Sequence, residues 1–345
     1  MTKLDIISGF LGAGKTTFIK KLRSDVWAGE KLVLIENEFG EIGIDGGFLK
    51  DAGIEITEMN SGCICCTLVG DFSKALVKVL DEYHPDRVII EPSGVGKLSD
   101  VARAIEAVEK DADIEIDGRI TVVDGKKAKM YMKNFGEFFK DQVEHASTIV
   151  VSRTQMMTDE KVEECVHTLR EENAEATIIS TPWDELGKEA ISHALTKGAE
   201  IESLFEDHED HDHDHCDHDH HDHCNHDHHD HDHHDHDHDC CCGHDHDHHH
   251  HHHADDVFTS WGKETVHKYT EEELDYLLKA LSETTSYGTI LRSKGIIQMT
   301  DGSWKQFDLV PEEYEVREGQ PDYTGRICVI GTDLKEDDLL KLFHV

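Results

Sequence analysis

The chain has 345 residues, which is long enough for two or three domains with hydrophobic cores of their own. Its formal net charge of −40 disfavours nucleic acid and anionic membranes as partners, because both bind positively charged surfaces. No apolar run is long enough to predict a membrane span or a signal peptide, and closely clustered cysteines favour metal binding in the cytoplasm over disulfides.

The first 200 residues alternate short apolar runs with amphipathic segments. The segment DFSKALVKVLDEY has the apolar spacing of a helix. The apolar runs, rich in Val and Ile, predict buried strands at LDIIS, KLVLIE, DRVIIE, ITVVD and STIVVS. This alternation predicts an α/β domain over residues 1–200, with a mostly parallel, doubly wound sheet and helices on both faces.

A phosphate-binding motif follows the first predicted strand. GFLGAGKT matches the pattern G-x4-G-K-[ST], and a predicted helix follows it, as a P-loop requires. Lys15 is expected to reach the β- and γ-phosphates, and the Thr16 hydroxyl to bind Mg²⁺. The sequence therefore predicts a P-loop nucleoside triphosphatase, with nucleotide-binding residues at Gly9, Gly12, Ala13, Gly14, Lys15, Thr16 and Thr17.

A candidate catalytic acid stands at the end of a later strand, in VIIEPSG. Glu91 occupies the position from which a carboxylate would approach Mg²⁺ or the attacking water, and Gly94 is expected near the γ-phosphate. We therefore expect Lys15 and Glu91 to act in catalysis.

Three thiols lie within four residues in CICC, at Cys63, Cys65 and Cys66. Thiolates are good ligands for Zn²⁺ and other thiophilic ions, but three of them leave a tetrahedral ion one ligand short. The segment IENEFGEIGID supplies nearby acids after a predicted strand, at Glu36, Glu38, Glu41 and Asp45. Loops after strands gather at the carboxyl edge of a doubly wound sheet, so the metal is expected beside the γ-phosphate. Which acid completes the site stays open.

Four segments, GFLGAGKTT, IENEFGEIGID, SGCICC and VIIEPSG, resemble the CobW-like GTPases, which are related to the nickel-insertion proteins UreG and HypB. The resemblance implies that GTP binding and hydrolysis control the loading of a transition metal, often zinc or cobalt, and its delivery to a client metalloprotein. By position it implies that Cys65 and Cys66 bind the metal with Glu36 and Glu41 as supporting acids. Cys63 is either a further ligand or a substitute for one acid.

The segment SRTQ stands where GTPases of this kind usually carry N-K-x-D. Arg153 can lie over the base as the lysine stem would, and Gln155 can accept a hydrogen bond from guanine. A neutral amide is a weaker acceptor than a carboxylate, so relaxed purine use stays open beside the expected preference for GTP. It also stays open that SRTQ is only a loop and that other residues recognise the base.

A low-complexity segment separates the two predicted domains. Residues 207–253 contain 24 His, 15 Asp and five Cys, and they have almost nothing to bury, so we predict a disordered linker over residues 201–253. Its imidazoles can bind several Zn²⁺, Ni²⁺ or Co²⁺ ions as a reservoir, with a tighter site at Cys240 to Cys242. A solvated acidic linker and, at His248 to His253, an expression tag are the alternatives. His267 lies just past the segment: it could join the metal-binding histidines, but the sequence favours a lone surface histidine.

The remaining residues, 254–345, predict an α+β domain that resembles the C-terminal domain of the same family. YTEEELDYLLKALSE predicts a helix and DDLLKLFHV a shorter one. Strands are predicted at TILRSKGIIQM, SWKQFDLV and GRICVIG. No motif in this domain suggests catalysis.

Together these features favour a cytoplasmic GTP-dependent metallochaperone that uses GTP, Mg²⁺ and Zn²⁺, or Co²⁺ or Ni²⁺ in its place. A non-catalytic metal buffer and an accessory nucleoside triphosphatase for cobalt insertion in cobalamin synthesis are the alternatives. The sequence leaves the client, the physiological metal and the oligomeric state open, with a homodimer as one alternative.

Overall fold

The structure is a computed structural model, and it describes residues 1–37, 55–59, 69–109, 112–195 and 254–345. Several of the residues expected to bind metal lie outside these ranges, namely Glu38, Glu41, Asp45, Cys63, Cys65, Cys66 and the histidine-rich segment 207–253. The predictions for them therefore remain predictions.

Strands and helices alternate along the first part of the chain. The strands are β1 (Thr2–Ser8), β2 (Leu32–Asn37), β3 (Glu55–Met59), β4 (Arg87–Glu91), β5 (Ile114–Asp124), β6 (Thr148–Ser152) and β7 (Thr177–Ile179). The helices are α1 (Lys15–Asp25), α2 (Val69–Tyr83), α3 (Leu98–Glu109), α4 (Ala128–Asn134), α5 (Gly136–Glu144), α6 (Asp159–Glu172) and α7, described over 188–195. All five predicted strands are present; β3 and β7 were not predicted.

The strands described in this part form one parallel sheet in the order β3-β2-β4-β1-β5-β6-β7. The order reverses beside the central strand β1, since β4 lies on one side of it and β5 on the other. Ligands of doubly wound folds bind at such a switch point, outside the carboxyl ends of the strands. The P-loop follows β1 there. The predicted α/β class is confirmed.

The second part of the chain folds around a largely antiparallel sheet. Its strands are β8 (Thr259–Thr265), β9 (Lys268–Tyr269), β10 (Thr289–Met299), β11 (Trp304–Val310), β12 (Glu313–Glu318) and β13 (Gly325–Thr332). The helices are α8 (Ala254–Val257), α9 (Glu271–Glu283) and α10 (Glu336–Leu342). The sheet order is β12-β11-β10-β13-β8, and β9 pairs in parallel with β10. This arrangement confirms the predicted small α+β unit.

The cores of the two parts are joined. One cluster of buried apolar residues covers a face of the parallel sheet and continues into Phe258, Leu291 and Ile330 of the second part. A second cluster covers the opposite face of that sheet, and a third lies between the antiparallel sheet and α9. Among the helices in the described ranges, none combines the length and the apolar character that a membrane span needs.

Candidate nucleotide site

At several positions the P-loop backbone adopts conformations that favour glycine. Gly9, Gly12 and Gly14 have φ angles of 143°, 71° and 102°, and all three fall in the region that side chains disfavour. A Cβ on Gly9 would lie 2.2 Å from the carbonyl oxygen of Val122, so the loop passes directly against β5. This fit allows the loop to turn sharply between β1 and α1.

Lys15, the first residue of α1, lies inside the site. Its side chain is 6% exposed, and its Nζ donates a hydrogen bond of 2.9 Å to the Gly9 carbonyl oxygen. Burial lowers the pKa of Lys15 from 10.5 to about 8, against the opposing effect of Glu91, whose Oε1 lies 4.0 Å away. A polyphosphate in this position would supply the negative charge that a buried ammonium needs.

Two buried glutamates lie side by side at the carboxyl edge of the sheet. Glu91 ends β4 and Glu36 is the penultimate residue of β2, and the parallel register pairs one with the other. They are 7% and 4% exposed, and both favour the charged form of Lys15. The predicted catalytic acid and the first acid of the predicted metal-binding segment are therefore neighbours.

The loop after β4 packs against the P-loop. A Cβ on Gly94 would lie 2.8 Å from a side-chain atom of Leu11, so only glycine allows this approach. The fully buried Gln142 of α5 donates hydrogen bonds to the carbonyl oxygens of Gly94, at 3.2 Å, and Gly96, at 2.7 Å. The loop carrying Gly94 is thus held beside the phosphate-binding backbone.

The SRTQ segment lies on the other side of the P-loop, at the end of β6. Ser152 Oγ donates a hydrogen bond of 2.7 Å to the Ala13 carbonyl oxygen. Arg153 contacts Asp124 through Nε at 3.2 Å and the Gly12 carbonyl oxygen at 3.4 Å, and it forms an ion pair with Glu313. Gln155 is exposed, in a short 3₁₀ turn. Arg153 thus faces the phosphate loop, whereas the expected contact with a base is not tested.

An aromatic residue that the sequence analysis did not consider also reaches the P-loop. Trp183, in the loop after β7, has its ring 5.1 Å from that of Phe18 in α1. A Cβ on Gly14 would lie 3.5 Å from the edge of the same ring. A tryptophan within a loop carries no motif, so only the fold brings it here.

The second part of the chain closes one side of the site. A cavity of about 250 Å³ is bounded on the P-loop side by Gly12, Gly14, Lys15, Thr16, Thr17, Lys20, Glu91 and Arg153. Its other wall comes from strands β10 to β12, through residues that include Arg292, Asp308, Val310, Glu313 and Arg317. A cavity with a P-loop floor and several cationic side chains fits a nucleotide polyphosphate with its metal ion.

A further contact holds this wall in place. Lys127, just before α4, donates a hydrogen bond of 2.8 Å from Nζ to the Pro311 carbonyl oxygen. Burial lowers the pKa of Lys127 and raises that of Asp124. Residues 254–345 contain no sequence motif for catalysis. The sequence gives no sign of this wall, because Arg292 and Arg317 lie in strands without a motif and far from the P-loop along the chain.

Comparison with known protein families agrees with this geometry. Residues 3–180 match the nucleotide-binding domain described as CobW/HypB/UreG, and this match alone spans more than half of the chain. The chain belongs to the CobW/HypB/UreG family. Residues 258–345 match the C-terminal domain of cobalamin synthesis protein cobW. The resemblance read from the motifs is thereby confirmed for both parts.

Curated relatives of this family member include zinc chaperones. The zinc chaperone CobW of Sinorhizobium sp is 36% identical over 180 residues, which cover 44% of this chain and 51% of the relative. The zinc chaperone YeiR of Escherichia coli is 34% identical over 160 residues, covering 46% and 49%. Zinc-regulated GTPase metalloprotein activator 1 of Schizosaccharomyces pombe is 27% identical over 191 residues, covering 52% and 46%. The chain spans about half the length of these relatives.

Proposed function

We propose that this protein is a GTP-dependent metallochaperone, which binds a transition metal, with zinc favoured, at the CICC segment and couples GTP hydrolysis to delivery of the metal to a client protein. Zinc is the cargo in this proposal and GTP with Mg²⁺ drives its release. The family assignment and the names of the zinc chaperones among its relatives support this proposal.

The observation that carries the proposal is the pairing of Glu36 with Glu91 across β2 and β4. Glu91 lies 4.0 Å from the P-loop lysine, so it belongs to the phosphate side of the site. Glu36 opens the segment IENEFGE, whose acids are the proposed partners of Cys65 and Cys66. Glu36 and Glu91 are separated by one strand spacing, about 4.8 Å. A change of charge at the γ-phosphate can therefore act through these two glutamates on the metal-binding segment.

In this proposal the chain's own residues have separate tasks. The P-loop amides and Lys15 hold the phosphates, and the Thr16 hydroxyl contributes to the Mg²⁺ site. Glu91 positions the metal ion or the attacking water, and the loop carrying Gly94 lies close to the terminal phosphate. Charge lost from the γ-phosphate on hydrolysis would change the balance between Lys15, Glu91 and Glu36, and so the affinity for zinc.

The test is a measurement of Zn²⁺ affinity by competition with a chelator, with and without Mg²⁺ and a non-hydrolysable GTP analogue. The histidines and cysteines of residues 207–253 are first changed to asparagine and serine, so that they do not mask the CICC site. We expect a shift of tenfold or more, equivalent to about 1.4 kcal/mol. Linkage requires an equal shift in the affinity for the analogue when zinc is added.

Matched variants identify the cysteines that cause the nucleotide-dependent shift in Zn²⁺ affinity. Changing Cys65 and Cys66 to serine should abolish the shift, whereas Cys165→Ala should leave it intact, because Cys165 is a buried thiol of α6. Burial raises the pKa of Cys165 to about 11, which makes it a poor metal ligand. Tight zinc binding with no nucleotide-dependent shift would refute the coupling and favour the metal buffer. Equal turnover of ATP and GTP would favour the accessory nucleoside triphosphatase.

A further inference from the structure

A cluster of metal-ligating side chains lies in the second part of the chain, away from the nucleotide cavity. His267 follows β8, Glu273 is in the first turn of α9, and His344 follows α10. One ligand atom from each of the three lies within 4.8 Å of the other two. In the sequence His267 reads as a lone surface histidine, but the fold brings it to a second histidine and a carboxylate.

The side chains already face one another. His267 Nε2 lies 3.7 Å from Glu273 Oε1, and the rings of His267 and His344 are 4.5 Å apart. His267 Nε2 is buried and has no hydrogen-bond partner among the described residues. A buried ring nitrogen without a donor or acceptor is costly, and a metal ion would satisfy it.

Each of the three residues is held in place by neighbouring groups. The backbone amide of His267 donates a hydrogen bond of 3.1 Å to Thr265 Oγ1. Glu273 closes the capping box of α9: its Oε2 accepts from the Thr270 amide at 2.7 Å, which leaves Oε1 directed at His267. Support of this kind around ligands is typical of functional metal sites.

His344 is anchored through the residue before it. Phe343 is fully buried and stacks on Trp261, and its carbonyl oxygen accepts a hydrogen bond of 2.6 Å from the Tyr269 hydroxyl. The ring of Tyr269 also packs edge-on against His267, with centroids 4.7 Å apart. Tyr269 thus ties the two histidines together.

We propose that His267, Glu273 and His344 form a second zinc site in this protein, separate from the CICC segment. Two imidazoles and one carboxylate are a donor set that Zn²⁺ takes when a fourth position stays open to water or to a ligand of another molecule. Zinc–nitrogen bonds of about 2.0–2.1 Å require donor atoms about 3.3 Å apart, so the cluster must contract slightly. We expect His344 to make that movement, because its side chain is exposed.

The site does not belong to the nucleotide cavity. Tyr269 pairs with Met299 at one end of β10, and Arg292 lines the nucleotide cavity seven residues earlier in that strand. At about 3.3 Å per residue, the two sites are roughly 20 Å apart. The open coordination position suits zinc that is accepted or passed on, rather than zinc that is permanently enclosed.

The test counts Zn²⁺ ions per full-length chain by competition with a chromophoric chelator. The histidines and cysteines of residues 207–253 are changed to asparagine and serine, while the chain length is kept. We expect the double variant His267→Asn with His344→Asn to bind one Zn²⁺ fewer per chain than the same protein without these changes. An unchanged count in a folded double variant would overturn the proposal.

Two further variants separate a metal site from a structural role. Glu273→Gln should weaken this site at least tenfold yet keep α9 intact, because glutamine also closes a capping box. His167→Asn is the matched control: His167 lies 3.5 Å from Glu171, and no third metal ligand groups with this pair among the described residues, so the zinc count should not change. Loss of one Zn²⁺ in this control would show adventitious binding and refute the assignment. A failure of nucleotide coupling at CICC would leave this result unaffected.

Discussion

At the scale of single residues, Lys15 shows how a motif residue is tuned by its position. The side chain is buried beneath the P-loop, where desolvation disfavours its charge more than Glu91 and Glu36 restore it, and its pKa falls to about 8. A lysine on the surface would stay charged throughout the physiological range. A phosphate group beside the buried lysine would favour its charged form.

This predicts a proton uptake on nucleotide binding. At pH 8 about half of the Lys15 side chains are neutral in the free protein, so binding of a fully deprotonated nucleotide should take up about half a proton. Affinity should fall as the pH rises above 8, because an increasing fraction of the protein must first be protonated. Isothermal titration calorimetry in buffers of different ionisation enthalpy measures the uptake.

The control is Lys15→Arg, since a guanidinium does not titrate in this range. Its binding should show no proton uptake near pH 8, even if its affinity is lower. Uptake that persists in this variant would assign the titration to another group and contradict the prediction for Lys15.

At the scale of elements, the P-loop is shaped both by its own glycines and by a strand from the other part of the chain. Gly12 and Gly14 both have left-handed backbones. A Cβ on Gly14 would make only ordinary contacts, the nearest at 3.5 Å from Trp183. A Cβ on Gly12 would lie 2.3 Å from Cγ1 of Val310 at the end of β11, so the two glycines resist substitution for different reasons.

We therefore expect Gly12→Ala and Val310→Ala to be coupled in stability. Alanine at Gly12 adds a backbone cost of about 1–2 kcal/mol and a clash, and Val310→Ala removes the clashing methyl group. The double variant should be more stable than the two single changes predict, with a coupling energy of about 0.5–3 kcal/mol. Denaturant unfolding of the four proteins measures it. The effects of Gly14→Ala and Val310→Ala on the free energy of unfolding should be additive. Additive effects for Gly12→Ala and Val310→Ala as well would refute the contact between Gly12 and Val310.

At the scale of the whole molecule, the two parts share one hydrophobic core. Phe258, at the start of the second part, is 1% exposed and packs 5.0 Å from Phe138, measured between ring centroids. It also lies 6.2 Å from Phe10, which is a residue of the P-loop itself. The ion pair of Arg153 with Glu313 joins the same two parts on the other side of the loop. The P-loop region and the second part of the chain are thus linked by aromatic packing and by an ion pair.

Phe258→Ala should weaken this link. Truncating a buried phenylalanine costs about 3–5 kcal/mol, and here the loss falls on the packing between the two parts. Differential scanning calorimetry should show two unfolding transitions instead of one, with only one of them raised by added nucleotide. Phe258→Leu, which keeps most of the apolar volume, should retain a single transition. A single transition in the alanine variant that still shifts as a whole would contradict the proposed link.

Local patterns in the sequence were sufficient to predict five strands of the parallel sheet and the place of the P-loop. The apolar runs predicted five strands of the parallel sheet, and the contiguous motif GFLGAGKT predicted the position of the P-loop after β1. The strand β3 escaped prediction because EITEM lacks the run of Val and Ile that marks β4 and β6, and β7 escaped it because three residues are too few to show a pattern. The strands β8 and β12 escaped prediction for another reason, because polar and apolar residues are mixed in them.

The sequence by itself determined the fold class, the family and the position of the P-loop after β1, because strand periodicity and a P-loop are encoded in consecutive residues. Only the tertiary structure decided which distant residues meet: Glu36 beside Glu91, Val310 against Gly12, and His267 with Glu273 and His344. Contacts of this kind depend on sheet register and on the docking of one core against another. No short stretch of sequence contains all the members of any of these contacts, so only the folded chain brings them together.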